Sequence, residues 1–226
     1  MFHAPSSTSN CLTFLETGVL PIDYEIHIRQ LMFLYHILSL TNDDPVRLCY
    51  QEQKKYPAPS WANEVSALRS KYEIEESDEE IPDITKRQWK RIVKTKVRQY
   101  AFENLIKESE TQKGSQNKYI NLNKQSYLTE LSPARARTIF WIRTGTIDLR
   151  TTRKYKYGDN TTCRLCETED ETVTHIVNSC PKIPRTLDVP DVYTTNCEQL
   201  HKVADRINAF LDLVKEKELE SEDENT

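Results

Sequence analysis

The 226 residues predict a mainly α chain: an irregular helical bundle with a small cysteine-rich module and a C-terminal amphipathic helix. Three observations predict it. Only four glycines occur, where average usage of about 7% would give about fifteen, so the turns of a sandwich or barrel are scarce. Apolar residues recur three and four apart in several stretches, the helical period. Three of the six cysteines fall with a histidine inside "CRLCETEDETVTHIVNSCP", from Cys163 to Pro181.

Residues 1–20, with Pro5, Gly18 and a run of Ser and Thr, read as an extended lead-in. Residues 21–158 read as a helical region. From Asp23 the rows Ile26, Phe33, Ile37 and Leu40 lie beside Leu31, Leu34 and Leu38, an apolar surface broad enough for a central core helix. Asp44 before Pro45 offers an N-cap and a first-turn proline for the next helix, which Pro57 and Pro59 end. Ser60 caps another, with Trp61, Val65 and Leu68 on one face. The acidic "EESDEE" reads as a solvated loop. Thr85 and Gln88 form a capping box for a helix burying Trp89, Ile92, Val93, Val97 and Ala101. The stretch around Gly114 reads as a flexible connector. Ser132-Pro133 opens a helix with Ile139, Phe140 and Ile142 inside and Arg135 and Arg143 outside; Trp61, Trp89 and Trp141 are expected in the core. Residues 190–216 read as the last helix, with Leu200, Val203, Ile207, Phe210, Leu211 and Val214 in one seam, and residues 217–226 as a disordered acidic tail.

Charged residues make up 29% of the chain and no apolar run reaches the roughly 20 residues of a membrane span. The start "MFHAPSSTSN" lacks the basic and apolar regions of a secretory signal. The expectation is an intracellular protein, nuclear or cytoplasmic and not secreted, with no membrane partner. In a reducing compartment, clustered thiols read as metal ligands. Cys163, Cys166, His175 and Cys180, spaced C-x2-C-x8-H-x4-C, make residues 159–185 a CCHC zinc knuckle. Three thiolates and an imidazole complete a tetrahedral shell, so the expected cofactor is one structural zinc, closed to substrate. Asp170 and Glu171 suit the start of a short helix leading to His175. A redox use of Cys163 and Cys166 finds no βαβ pattern around it. Cys11, Cys49 and Cys197 have no partner pattern, and Cys197 reads as a core thiol.

The formal net charge of −4 hides segregation. Thr85 to Ala101 holds seven basic residues and no acidic one, with Arg87, Arg91, Lys94 and Arg98 in a stripe. Arg150, Arg153, Lys154 and Lys156 run into the knuckle with Tyr155 and Tyr157 among them. Cations that track phosphates, interleaved with rings that stack on bases, suit nucleic acid. The competing reading of both stretches is a solvated helix face and rings packed on the zinc module. The expected partner is RNA or single-stranded or target DNA. No small-molecule substrate is expected, and a protein partner would dock through the C-terminal helix.

The knuckle spacing, with "ET" ahead of the histidine and "CP" at its end, resembles the zinc-knuckle tail of reverse transcriptases from non-LTR (LINE-type) retrotransposons. "FLETGVLPIDYEIHIRQLMFLYHIL", "KRIVKTKVRQYAFENL" and "IFWIRTGTIDLRTTRKYKYGDNTTCRLC" are similar to the stretches between palm and knuckle in such proteins, so the resemblance runs from about residue 14 to 185. It implies a thumb and linker region that helps hold template RNA and target DNA. The catalytic aspartates of that family have no counterpart: Asp43-Asp44 reads as a helix start, and Pro190-Asp191, Glu198 and Lys202 lack the spacing of the endonuclease that some members carry. The expectation is therefore a non-catalytic, nucleic-acid-binding region. The alternative is a zinc-stapled helical scaffold that binds protein.

Overall fold

The computed structural model describes residues 8–56, 59–111, 119, 121–184 and 192–223. The described residues are mainly helical and include no β-strand, only one isolated bridge between Thr162 and Asp170. None of their helices is long and apolar enough to cross a membrane. The chain divides into two compact units, Val19–Ile106 and Met1–Gly18 with Lys107–Thr226. The predicted region 21–158 is thus not one body, because its last part shares a core with the knuckle and the C-terminal helix.

In the Val19–Ile106 unit, α2 (Ile22–Leu38) packs against α3 (Pro45–Lys55), α4 (Trp61–Lys71) and a 3-10 turn at Ile81–Asp83. Asp44 caps α3 through the Val46 amide at 2.8 Å, and Ser60 caps α4 through the Asn63 amide at 3.3 Å. On α2 the buried row is Ile28, Leu31, Leu34, Ile37 and Leu38; Ile26 and Phe33 are instead 47% and 48% exposed, so only one stripe of the apolar circumference meets the core. The acidic loop is more structured than its composition suggests. Asp78 accepts from Tyr50 at 2.9 Å, Lys54 at 2.7 Å and Arg69 at 2.6 Å, so three donors from α3 and α4 pin it. The capping box forms as predicted: the Thr85 amide donates to Gln88 Oε1 at 3.1 Å and the Gln88 amide to Thr85 Oγ1 at 3.3 Å. It opens α5 (Lys86–Glu110), whose Trp89, Val93, Val97 and Ala101 are fully buried. The Trp89 indole donates to the Leu31 carbonyl at 3.0 Å, joining α5 to α2.

The other unit begins with α1 (Asn10–Thr17), which corrects the extended lead-in. Cys11, Leu12 and Leu15 bury one face of this short helix, and Gly18, at φ 67°, ends it. The connector around Gly114 lies outside the described residues. α6 (Tyr127–Glu130), α7 (Pro133–Arg143) and α10 (Cys197–Asp223) pack together, with α9 (Val173–Asn178) on α10. Ile139, Phe140 and Ile142 lie inside with Leu200, Val203, Ile207, Phe210 and Val214. Trp61 and Trp141 are only half-buried. Arg143, expected outside, is buried: it pairs with Glu16 at 3.7 Å and donates to the Val192 and Thr194 carbonyls at 3.2 and 2.8 Å. The Glu16 carboxylate also accepts from Tyr119 at 2.6 Å and Tyr127 at 2.7 Å, so this cluster holds α1 to α6 and α7. α10 starts seven residues later than predicted and runs through 217–223, in place of the disordered tail expected there. Its end is tethered, because Lys217 donates to the Arg164 carbonyl at 2.9 Å and Glu218 accepts from Arg164 at 3.3 Å.

Candidate metal centre and basic faces

Local backbone chemistry assembles the knuckle. The Cys163 amide donates to the Glu169 carbonyl at 2.8 Å and the Glu167 amide to the Cys163 carbonyl at 3.0 Å, folding Cys163–Cys166 into a tight turn. Glu167 closes it with φ 61°, a left-handed conformation that disfavours a side chain. Thr172, not Asp170 or Glu171, caps α9, accepting from the His175 amide at 3.0 Å. The Cys180 amide donates to the His175 carbonyl at 2.8 Å, which turns the chain back at the helix end. The donor atoms of Cys163, Cys166, His175 and Cys180 all lie within 4.8 Å of one another, and Cys166 Sγ is 3.3 Å from His175 Nε2. A tetrahedral shell with metal–sulfur bonds of about 2.3 Å sets its ligand atoms a little under 4 Å apart. The four residues therefore fit one metal ion. His175 Nδ1 lies 2.8 Å from Glu169 Oε2 and 3.1 Å from Ser179 Oγ, which leaves Nε2 for the ion.

The thiols differ. Burial pushes Cys163 up, and pushes Cys180 up to about 12 with help from its two neighbouring thiols. Cys166 goes the other way: burial is outweighed by the Thr168 hydroxyl at 3.2 Å, the Thr168 and Glu169 amides and Cys163, which bring it down to about 6. The polypeptide thus already stabilises one thiolate, and a cation would be needed to hold the others ionised.

A pair with no signature in the sequence supports this turn. Arg164, between the first two ligands, is buried against the fully buried Glu171. Its Nη2 donates to Glu171 Oε1 at 2.8 Å and its Nε to Oε2 at 3.0 Å, while the Arg164 and Arg150 amides donate to the same carboxylate at 2.9 and 3.0 Å. The guanidinium also stacks on Tyr157, 4.9 Å from the ring centre. The helix-start role expected of Glu171 gives way to this ion pair. A spacing of seven within a loop has no periodicity that would reveal it.

The two basic stretches behave differently. Of the segment before the knuckle, Arg150 donates to the Thr162 carbonyl at 2.8 Å. Arg153 donates to the Thr146 carbonyl at 2.9 Å, Lys156 pairs with Asp148 at 3.0 Å, and Tyr157 donates to Asp148 at 3.1 Å. These four serve the fold. Lys154 and Tyr155, on the short helix α8 (Lys154–Tyr157), face solvent. On α5, by contrast, Arg87, Arg91 and Lys94 are exposed and make no ion pair among the described residues; Arg98 is half-buried and bonded. Arg87, Lys90, Arg91 and Lys94, with Gln88, line an open depression of about 440 Å³. The two stretches belong to different units. Near the knuckle, a cleft of about 450 Å³ holds Arg150, Arg164 and Lys217, but Glu218 pairs with Arg164 and Glu167 with Lys217. Compared with known proteins, the chain matches no family model, no curated protein and no solved structure.

Proposed function

We propose that this chain is a non-catalytic, nucleic-acid-binding region of the kind found at the end of LINE-type reverse transcriptases, and that its metal is one structural zinc. The observation that carries the binding is the exposed cationic face of α5. Arg87, Lys90, Arg91 and Lys94 span about 10 Å of helix at about 1.5 Å per residue, with no carboxylate among them. Unpaired cations on a rigid helix are suited to phosphates, and releasing the counterions of the nucleic acid drives the association. The metal identity rests on the ligand set: three soft sulfurs and one imidazole favour zinc, and four protein donors leave no position for a substrate. Bound zinc would fold the knuckle and supply positive charge to its thiolates. Holding RNA or DNA, without chemistry on it, is the resulting role.

One observation favours the alternative, a zinc-stapled scaffold for protein. Leu213 and Leu219 on α10 are 37% and 62% exposed, so its distal half offers apolar surface. Two measurements separate the readings. Metal analysis of the protein purified under reducing conditions should give one zinc per chain; clearly less contradicts the metal assignment. Anisotropy titrations with single-stranded RNA and DNA at low salt should show binding that weakens steeply with salt. No binding at low salt sinks the nucleic-acid reading and leaves the scaffold.

A further inference from the structure

Resting on that reading, we propose that Tyr155 is a stacking platform for one unpaired nucleobase, so that the unit carrying the knuckle selects single-stranded over duplex nucleic acid. Tyr155 is the most exposed large apolar or aromatic side chain among the described residues, at 75%. It is not a loose one. Its hydroxyl accepts from Arg153 Nη1 at 3.2 Å, and the same guanidinium is anchored to the Thr146 carbonyl at 2.9 Å and lies 3.6 Å from Asp148. The arginine is thereby occupied internally and holds the tyrosine ring outward.

Two residues on, Tyr157 turns inward, under the Arg164 guanidinium and the Lys156 ammonium. Tyr155 has no such cover: neither a ring nor a cation lies over it among the described residues. Beside it, Lys154 is exposed and makes no ion pair among the described residues. Gly158, at φ 68°, ends α8 in open space, since a side chain built there would meet nothing within 4 Å. A fixed, uncovered ring with one unpaired ammonium next to it fits a base and its adjoining phosphate. The faces of paired bases are already taken by their neighbours in the stack, so a duplex cannot offer one without unstacking. The cationic stretch Arg87–Lys94 of α5 has no equivalent, since the one aromatic residue within it, Trp89, is fully buried. It meets phosphates in either form.

The test uses the full zinc-loaded chain and one oligonucleotide sequence, single-stranded and as a duplex, with 2-aminopurine in the single strand. Tyr155→Ala should weaken single-strand binding about ten-fold, in line with the loss of one base–aromatic stack. Duplex binding should change less than about two-fold on the same scale of effects. Tyr155→Phe, which keeps the ring but loses the Arg153 hydrogen bond, should weaken single-strand binding clearly less than Tyr155→Ala, and the 2-aminopurine quenching seen with the parent should persist in Tyr155→Phe and disappear in Tyr155→Ala. Because the side chain lies in solvent, an unchanged circular dichroism spectrum and zinc content certify the variant. If the parent binds and Tyr155→Ala binds the single strand equally well, the stacking role is overturned while the proposed function stands. If the parent binds neither form, both fall together.

Discussion

Replacing Glu171 by alanine should cost the knuckle unit about 3–5 kcal/mol, the range for breaking a buried ion pair from one side. The structure explains why the figure belongs at a single carboxylate. Glu171 is fully buried and its two oxygens take the Arg164 guanidinium and the amides of Arg150 and Arg164. Without it, two backbone N–H groups lose their acceptor, the expensive side of the hydrogen-bond balance, and the guanidinium loses its buried counter-charge, keeping only Glu218, the Asp148 carbonyl and Tyr157. Glu171→Gln should cost less, because one amide oxygen still accepts. A double change to Arg164→Met and Glu171→Leu should recover part of the loss by removing the stranded charge, yet not all of it, since both backbone amides stay unpaired. The assay is thermal unfolding of the zinc-loaded protein, with amide exchange along α10 to report on this unit. At about 2–4 °C per kcal/mol for a chain of this size, Glu171→Ala should lower Tm by at least about 6 °C. A loss below about 1 kcal/mol, or a double variant worse than Glu171→Ala, would refute the reasoning.

Glu169→Ala should weaken zinc affinity about ten- to a hundred-fold, measured by chelator competition, because the carboxylate at 2.8 Å orients His175. Gly18→Ala should destabilise the same unit. A Cβ there would sit 2.2 Å from the Lys124 nitrogen at φ +67°, and left-handed strain with overpacking together cost about 2–5 kcal/mol by urea unfolding. The Val19–Ile106 unit should lose stability in acid through Asp78. Burial opposes its ionisation, but Lys54, Tyr50 and Arg69 prevail and hold the carboxyl below the usual aspartate range. A depressed folded pKa gives stability that is present above the unfolded value and lost as pH falls through the folded one. Asp78→Asn should therefore flatten the stability profile below about pH 4, close to the unperturbed aspartate pKa, and urea midpoints between about pH 2 and 5 check it.

Where a signal is local, the sequence carries it. The caps at Asp44 and Ser60 and the box at Thr85 and Gln88 each need only a few consecutive residues, and all three form. The four metal ligands are also readable, since C-x-x-C and a histidine and cysteine about one short helix encode their own proximity. What is not readable depends on partners outside the few consecutive residues of a cap or turn. Arg143 looks like a solvent arginine until Glu16, more than a hundred residues away, meets it. Arg153 and Lys156 look like phosphate ligands until Thr146 and Asp148 take them. Charge runs report sign but not occupancy, and only the fold shows that the α5 cations are exposed while most of those before the knuckle are engaged.

The salt dependence of binding tests the central claim most directly. Log affinity for a single-stranded RNA should fall linearly with log salt. Arg87→Gln, Arg91→Gln and Lys94→Gln combined should reduce the slope by about two, near 0.7 for each phosphate that the protein no longer neutralises on a single strand. These side chains are exposed, so helicity and zinc content should stay at parental values. An unchanged slope in a well-folded triple variant would contradict the assignment of the α5 face as the nucleic-acid surface.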